Sequence, residues 1–197
     1  AVFVSLDGDE KTHDQFRVHA SGKGSFADTM AGIGRLREAG IRFHLVAVVT
    51  KERARWLGDA VATLLPLGAA SVHLTANHRD DWTPGAVADL RSGLDDAGRV
   101  WMDAFRSGQT VAFDPLHTKI LTHLKGGMPC PSRCQLGGRE LCVSPAGNIY
   151  PCAQMVGEDD QHAMCIGHVD RGIDDEARER LQQLKERVAD TCSACEL

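Results

Sequence analysis

Between residues 130 and 152 the chain reads CPSRCQLGGRELCVSPAGNIYPC, which places four of its seven cysteines at spacings of x3, x7 and x9. A further pair, Cys192-x2-Cys195, stands two residues from the end. Thiols at that density ask for a covalent or metal link. The chain as read opens without an apolar segment, and its upstream part reads as an intracellular α/β protein, so a disulfide framework is disfavoured by redox compartment. Zinc usually takes paired C-x2-C knuckles or Cys/His pairs. Only one such knuckle is present, at Cys192 and Cys195, and the other thiols stand apart around Gly147. Widely spaced thiolates suit an iron–sulfur cluster, which draws four cysteines from scattered positions. Zinc and free buried thiols remain the competing readings.

Elsewhere the chain reads as an ordinary soluble protein. With 197 residues and 43% hydrophobic content it can bury a real core as one domain or one and a half. A net charge of −5 with no basic run argues against nucleic acid as a partner. The longest apolar run, Leu45 to Val49, is far short of a membrane span, and the expected location is the cytoplasm.

Taken in order, Val2 to Leu6 is a short apolar run closed by Asp7-Gly8, a strand and a turn. Ser25 precedes a helical stripe of Phe26, Met30, Ile33 and Leu36, with Asp28 at the capping-box position and Gly40 as the stop. Ile41 to Thr50 is β-branched and nearly continuously apolar, as expected of a strand covered on both faces. Glu52 to Leu65 is a helix with Trp56, Leu57, Val61, Leu64 and Leu65 inward; Ser71 to Thr75 is a third strand. Thr83-Pro84 opens a helix, interrupted by glycines, that runs to about Ser107, and Asp114-Pro115 starts a short one. This rhythm predicts an α/β fold with a parallel sheet and right-handed crossovers; three strands are too few for a closed barrel. It stops near Gly126-Gly127, where the domain boundary is expected. Pro145-Ala146-Gly147-Asn148 is then a hairpin turn, and Asp174 to Ala189 a helix with Ile173, Leu181, Leu184 and Val188 on one stripe. His162 and His168 flank Cys165 as H-x2-C-x2-H, either a solvated loop or a metal site.

Cys134-x12-Gly147-x4-Cys152, followed after a gap by C-x2-C, resembles the start of the SPASM domain, the auxiliary iron–sulfur module of many radical S-adenosylmethionine peptide-modifying enzymes. VSLDGDEKTHDQFR, GKGSFADTMAGIGRLREAGI and FHLVAVVT likewise resemble the second half of that family's core, a partial (β/α)6 barrel. The resemblance implies two domains: residues 1–126 as the C-terminal half of the barrel and 127–197 as a truncated SPASM-like domain. It places Ser5 and Asp7 at a strand end facing S-adenosylmethionine and makes Arg17 a candidate contact for its carboxylate, which a guanidinium fork fits. It makes Cys134, Cys142 and Cys152, then Cys192 and Cys195, ligands of auxiliary 4Fe-4S clusters, with Cys130 or Cys165 as a substitute fourth ligand.

Departures from the family pattern narrow the expectation. No C-x3-C-x2-C triplet is present in these residues, nor the glycine-glycine-glutamate motif, so they cannot themselves cleave the cofactor. The expected parent is therefore a longer enzyme that modifies a ribosomally made peptide or protein through a 5′-deoxyadenosyl radical, with an electron-donor protein as a further partner. Anaerobic sulfatase maturases carry an aspartate directly after the cysteine aligned with Cys152; Ala153 stands there, which favours a peptide precursor over formylglycine formation. The rival reading is a non-catalytic iron–sulfur or zinc-binding scaffold or peptide-binding module.

Overall fold

The computed structural model describes residues 2–126, 136–138, 140–159 and 162–186. Cys130, Cys134, Cys192 and Cys195 lie outside the described residues, as does Gly127 at the expected boundary. The chain divides into two compact units, Ala1–Leu124 and Lys125–Leu197. No described helix is long and apolar enough to cross a membrane.

In the first unit, strands β1 (Val2–Ser5), β2 (Phe43–Val49), β3 (Ser71–Ala76) and β4 (Ala112–Asp114) form one parallel sheet in sequential order. Helices α1 (Glu10–Asp14) and α2 (Phe26–Glu38) join β1 to β2, α3 (Leu57–Leu64) joins β2 to β3, and α4 (Pro84–Arg106) joins β3 to β4. Helix α5 (Leu116–Leu124) follows. The parallel α/β rhythm is the one the sequence predicts. The fourth strand is an addition: with three residues it is too short to show a period of two, and the sequence conceals it.

The core lies on one face of this sheet. Leu6, Phe43, Leu45, Ala47, Val49, Val72 and Phe113 are buried there with Ile33, Leu57, Val61, Leu64 and Ala97 of the helices. Side chains alternate across a strand, so Phe3, Ser5, His44, Val46, Val48, Ser71, His73 and Asp114 occupy the opposite face. This corrects the expectation that β2 is covered on both sides: its burial alternates, and Val48 is 39% exposed. Mixed polar and apolar residues on that second face made the run look continuous.

The helix expected over Glu52 to Leu65 is broken into a 3₁₀ turn (Ala54–Trp56), α3, and a second 3₁₀ turn (Leu65–Leu67). The first turn rotates Trp56 outward to 60% exposure and seats Ala54 inside instead. A glycine of α4 explains why a small residue is needed in this contact. A Cβ built on Gly93 would stand 1.8 Å from the Ala54 carbonyl oxygen, so the helix can approach the turn only where it has no side chain.

Between α1 and α2 a hydrogen-bonded loop replaces the expected capping box. The Ser25 hydroxyl makes no cap bond; it donates to the Arg17 carbonyl at 2.8 Å and faces His13 Nε2 at 3.0 Å. Asp14 takes over the cap, accepting from the Phe26 N–H at 2.8 Å. Asp28 turns instead to His19, 3.0 Å away. Because the Ser25 proton is committed to Arg17, His13 must donate through Nε2–H, leaving Nδ1 to face the Asp7 N–H at 3.4 Å. Burial first, and the nearby Arg17 cation after it, lower the pKa of His13, against the opposing pull of Asp7 and Asp14.

In the second unit, β5 (Cys142–Val143), β6 (Asn148–Tyr150), β7 (Gly167–His168) and β8 (Gly172–Ile173) form an antiparallel sheet in that order. The β5–β6 turn closes with Ser144 N–H to Asn148 O and Gly147 N–H to Ser144 O, both 2.9 Å. Gly147 has φ +87°, and a Cβ there would meet His168 Nε2 at 2.8 Å, so both conformation and space demand glycine. Asp159, itself at φ 64°, accepts from Asn148 Nδ2 at 3.1 Å and Tyr150 Oη at 2.9 Å; hydrogen bonds from Asn148 first, then Ser144 and Tyr150, hold its carboxyl below the usual range. Helix α6 (Asp175–Glu186) is capped by Asp174 and buries Ala177 and Leu181 against Ile149 and Ile166. Ile173 belongs to β8 and is 38% exposed, which removes it from the expected helical stripe; Ala177 fills that place.

Two outcomes follow from this packing. Gly93→Ala should destabilise the chain by about 1–3 kcal/mol, because overpacking against a carbonyl outweighs the ~1 kcal/mol of helix propensity that alanine gains over glycine; a thermal melt at or above wild type would refute the close approach. His13, with a pKa below its ordinary 6.5, binds fewer protons folded than unfolded, so its contribution is present above 6.5 and is lost as pH falls through the folded value. Denaturant titrations between pH 7 and pH 5 should show stability falling with pH, and a shallower fall in His13→Gln; identical slopes would remove His13 from the account.

Candidate functional site

The C-terminal ends of β1, β2 and β3 open into a cleft of about 350 Å³ lined by Asp7, Phe16, Arg17, Thr50, Glu52, Arg53, Asn77 and Asp80. In open parallel sheets this is the end where ligands bind, because the loops diverge there and backbone groups are left to be satisfied. The lining carries both signs of charge and one aromatic ring, Phe16, which is 53% exposed. Such a site suits a zwitterionic ligand with an apolar part.

Asp7 and Arg17 form the centre of it. Arg17 Nε donates to Asp7 Oδ2 at 2.6 Å and Nη2 to Oδ1 at 3.1 Å, a bidentate pair in which the carboxylate is 8% exposed and the guanidinium 30%. Asp7 Oδ1 also accepts from the Val48 N–H at 2.9 Å. Asp7 is therefore no mere turn residue: it ties the end of β1 to β2 and to the loop after α1. Arg17 spends one edge of its fork on Asp7, and among the described residues Nη1 has no hydrogen bond, which leaves that edge to meet a carboxylate. Ser5 on β1, two residues before Asp7, is exposed and in register with Val46, and it does not line the cleft.

The far wall is equally ordered. Asp80 accepts from Lys51 N–H at 3.0 Å and from Asn77 Nδ2 at 2.7 Å, and Arg53 Nη1 donates to Thr12 Oγ1 at 3.1 Å. The Glu52 carboxyl is held below its usual range by its own backbone N–H, then by the Thr50 hydroxyl. No spacing or motif marked Asn77, Asp80 or Arg53 for this site, since they come from loops of irregular spacing. The one signal available was their position just after each predicted strand.

Of the expected thiol ligands, Cys142, Cys152 and Cys165 are described, all half-buried and outside any disulfide. Cys142 pairs with Tyr150 across the hairpin and Cys152 follows Tyr150 by two residues, so both stand at its open end, away from the Gly147 turn. Cys165 Sγ lies 3.1 Å from the Gly167 carbonyl, and His168 Nε2 3.1 Å from the Ala146 carbonyl. Among the described residues no three His, Cys, Asp or Glu side chains converge into a metal-holding group. The remaining candidates, Cys130, Cys134, Cys192 and Cys195, are the ones outside the described residues.

No family model matches the chain. A curated relative, the AdoMet-dependent heme synthase of Nitratidesulfovibrio vulgaris, is 36% identical in an alignment that covers 77% of this chain and 46% of that protein. The cysteine-type anaerobic sulfatase-maturating enzyme of Clostridium novyi is 26% identical over 77% of this chain and 42% of its own length. The serine-type enzyme of Klebsiella aerogenes is 24% identical over 79% and 39%. Among solved structures, native anSMEcpe with bound AdoMet superimposes with a TM-score of 0.78 at 18% identity, covering 99% of this chain and 55% of that one. The same enzyme with AdoMet and Kp18Cys peptide gives 0.75. The chain thus spans about half the length of the relatives it matches. By sequence and fold its homologues are radical S-adenosylmethionine/SPASM enzymes, anaerobic sulfatase-maturating enzymes among them, and the chain covers part of such an enzyme.

Proposed function

We propose that this chain is the second half of a radical S-adenosylmethionine peptide or protein maturase: residues 1–126 carry one wall of the cofactor site and residues 127–197 an auxiliary iron–sulfur domain. The observation that carries the reading is the Asp7–Arg17 pair at the C-terminal strand ends, inside a cleft of mixed charge. The residues fit the cofactor's chemistry. Arg17 offers its free edge to the carboxylate, Asp7 holds that guanidinium in place, Ser5 supplies a hydroxyl at the strand end, and the acidic groups of Glu52 and Asp80 suit the ammonium and sulfonium charges. When bound in a complete enzyme, the cofactor would supply a 5′-deoxyadenosyl radical that removes a hydrogen atom from the substrate.

Cys142 and Cys152, with Cys134 and then Cys130, Cys192 and Cys195, are the proposed ligands of auxiliary 4Fe-4S clusters. The open end of the hairpin supports this by presenting two thiols together on a backbone fixed by Gly147. Such clusters would pass an electron to or from a donor protein, or hold the substrate. Ala153, in place of the aspartate expected after Cys152 in sulfatase maturases, favours a peptide other than a sulfatase. A second reading, tetrapyrrole rather than peptide chemistry, is favoured by the 36% identity to a heme synthase.

Anaerobically reconstituted chain should contain iron and sulfide in about equal amounts, with a broad brown absorbance. Cys142→Ala and Cys152→Ala should each remove most of that iron and Cys165→Ala little; equal losses at all three would refute the ligand assignment. Zinc without sulfide would select the structural-module reading. Equilibrium dialysis should find S-adenosylmethionine bound by the chain and about tenfold weaker binding by Arg17→Lys, a loss of about 1.4 kcal/mol from replacing a planar fork by a point charge; undiminished binding would take Arg17 out of the site.

A further inference from the structure

On the face of the first sheet opposite the core, four side chains from three adjacent strands form an unbroken hydrogen-bonded line. His44 Nδ1 on β2 lies 2.6 Å from Ser71 Oγ on β3. Ser71 Oγ lies 2.7 Å from His73 Nε2, two residues along the same strand. His73 Nδ1 lies 3.1 Å from Asp114 Oδ2 at the end of β4. Asp114 is fixed in turn by the backbone N–H of Thr118 at 3.0 Å and by the Thr118 hydroxyl. The parallel register creates this line, because it pairs His73 with Asp114 and sets Phe3 beside His44.

The proton positions follow from the acceptors. A carboxylate only accepts, so His73 carries its proton on Nδ1. If His73 is neutral, Ser71 donates to its Nε2, and the single serine proton then obliges His44 to donate through Nδ1. If His73 is cationic, every bond between it and His44 reverses while the heavy atoms stay in place. One geometry therefore serves both proton arrangements. The one ring nitrogen left over is His44 Nε2, which has no hydrogen bond among the described residues. Beside it the Phe3 ring is stacked at 4.9 Å and 24°, and Phe3 is 61% exposed.

We propose that His44 Nε2 is a proton-accepting port for an acidic group of a ligand on this open face, backed by the Ser71–His73–Asp114 relay. The ligand's carboxyl, thiol or phenol gives its proton to His44 Nε2, the Nδ1 proton passes to Ser71 Oγ, and the serine proton passes to His73 Nε2. One proton has moved and no electron; the ligand is left as an anion and the charge rests on His73 beside Asp114. Phe3 takes the apolar atoms next to that group. His44 is four residues before Val48, about 13 Å at ~3.3 Å per residue from the Asp7 cleft, so the port grips a part of the ligand remote from that cleft. The ligand is taken to be a segment of the peptide substrate, and that identity alone rests on the function proposed above.

The test uses the whole 197-residue chain labelled with ¹⁵N-histidine, and phenylacetate as the probe, with phenylacetamide as its uncharged counterpart. Both His44 and His73 should show protonated Nδ1 in the free protein. Phenylacetate, already ionised, should be taken up together with one proton from water that leaves the pair cationic, and should bind at least tenfold more tightly than phenylacetamide. Ser71→Ala should return His44 to the Nε2–H tautomer that free imidazole prefers and abolish the preference, whereas Ser71→Thr, which keeps the hydroxyl, should restore both; backbone amide spectra establish that each variant is folded. An unprotonated His44 Nδ1 beside a neutral His73, equal affinity for the two probes, or a Ser71→Ala spectrum identical to wild type would each overturn the proposal. None of these readouts involves iron or S-adenosylmethionine, so their failure and that of the function proposed above are distinguishable.

Discussion

The first unit depends on what one buried carboxylate does at the end of its first strand. Asp7 accepts from two nitrogens of Arg17 and from the Val48 N–H, while its own N–H faces His13. Four parts of the chain are joined there: β1, β2, the loop after α1, and through His13 and Ser25 the start of α2. A charge that is 8% exposed tolerates this position only with its partners in place, since removing one partner of a buried pair leaves an uncompensated charge. The same demand gives the site its shape, because a guanidinium held on one edge presents the other in a fixed direction.

Local rules give way wherever this network needs their atoms. Ser25 has the sequence of a helix cap, yet its hydroxyl serves Arg17 and His13, and Asp14 caps the helix from twelve residues away. Trp56 has the spacing of a core residue, yet a 3₁₀ turn carries it to the surface so that Ala54 can meet Gly93. In both cases a tertiary contact outweighs a local preference worth about 1 kcal/mol.

The two faces of the parallel sheet have different chemistry. One is a continuous apolar core under helices α2, α3 and α4; the other carries serine, histidines and an aspartate in register across neighbouring strands. Polar groups on that second face are satisfied by one another, which keeps them in fixed geometry without closing off the His44 ring. The second unit uses small antiparallel strands and a single helix for a comparable end: Gly147, Tyr150 and Asp159 fix the hairpin on whose open end Cys142 and Cys152 stand.

Apolar periodicity by itself marked out the three longer strands and the helix Phe26–Glu38, the Thr83-Pro84 cap the helix Pro84–Arg106, and turn chemistry the bend at Gly147, because each of these signals lies in residues near in sequence. Cysteine spacing and the likeness of three stretches pointed to the homologues, and to Asp7 and Arg17 as separate candidates for the cofactor site. Only the tertiary structure decided that the two make a bidentate bond, that Asn77, Asp80 and Arg53 complete the cleft, and that His44, Ser71, His73 and Asp114 align. Those groups come from separate strands and loops, and their meeting depends on sheet order and register. Neither is written in the local pattern: strand order follows from which helices cross which strands, and a slip of one residue would turn His44 and His73 into the core.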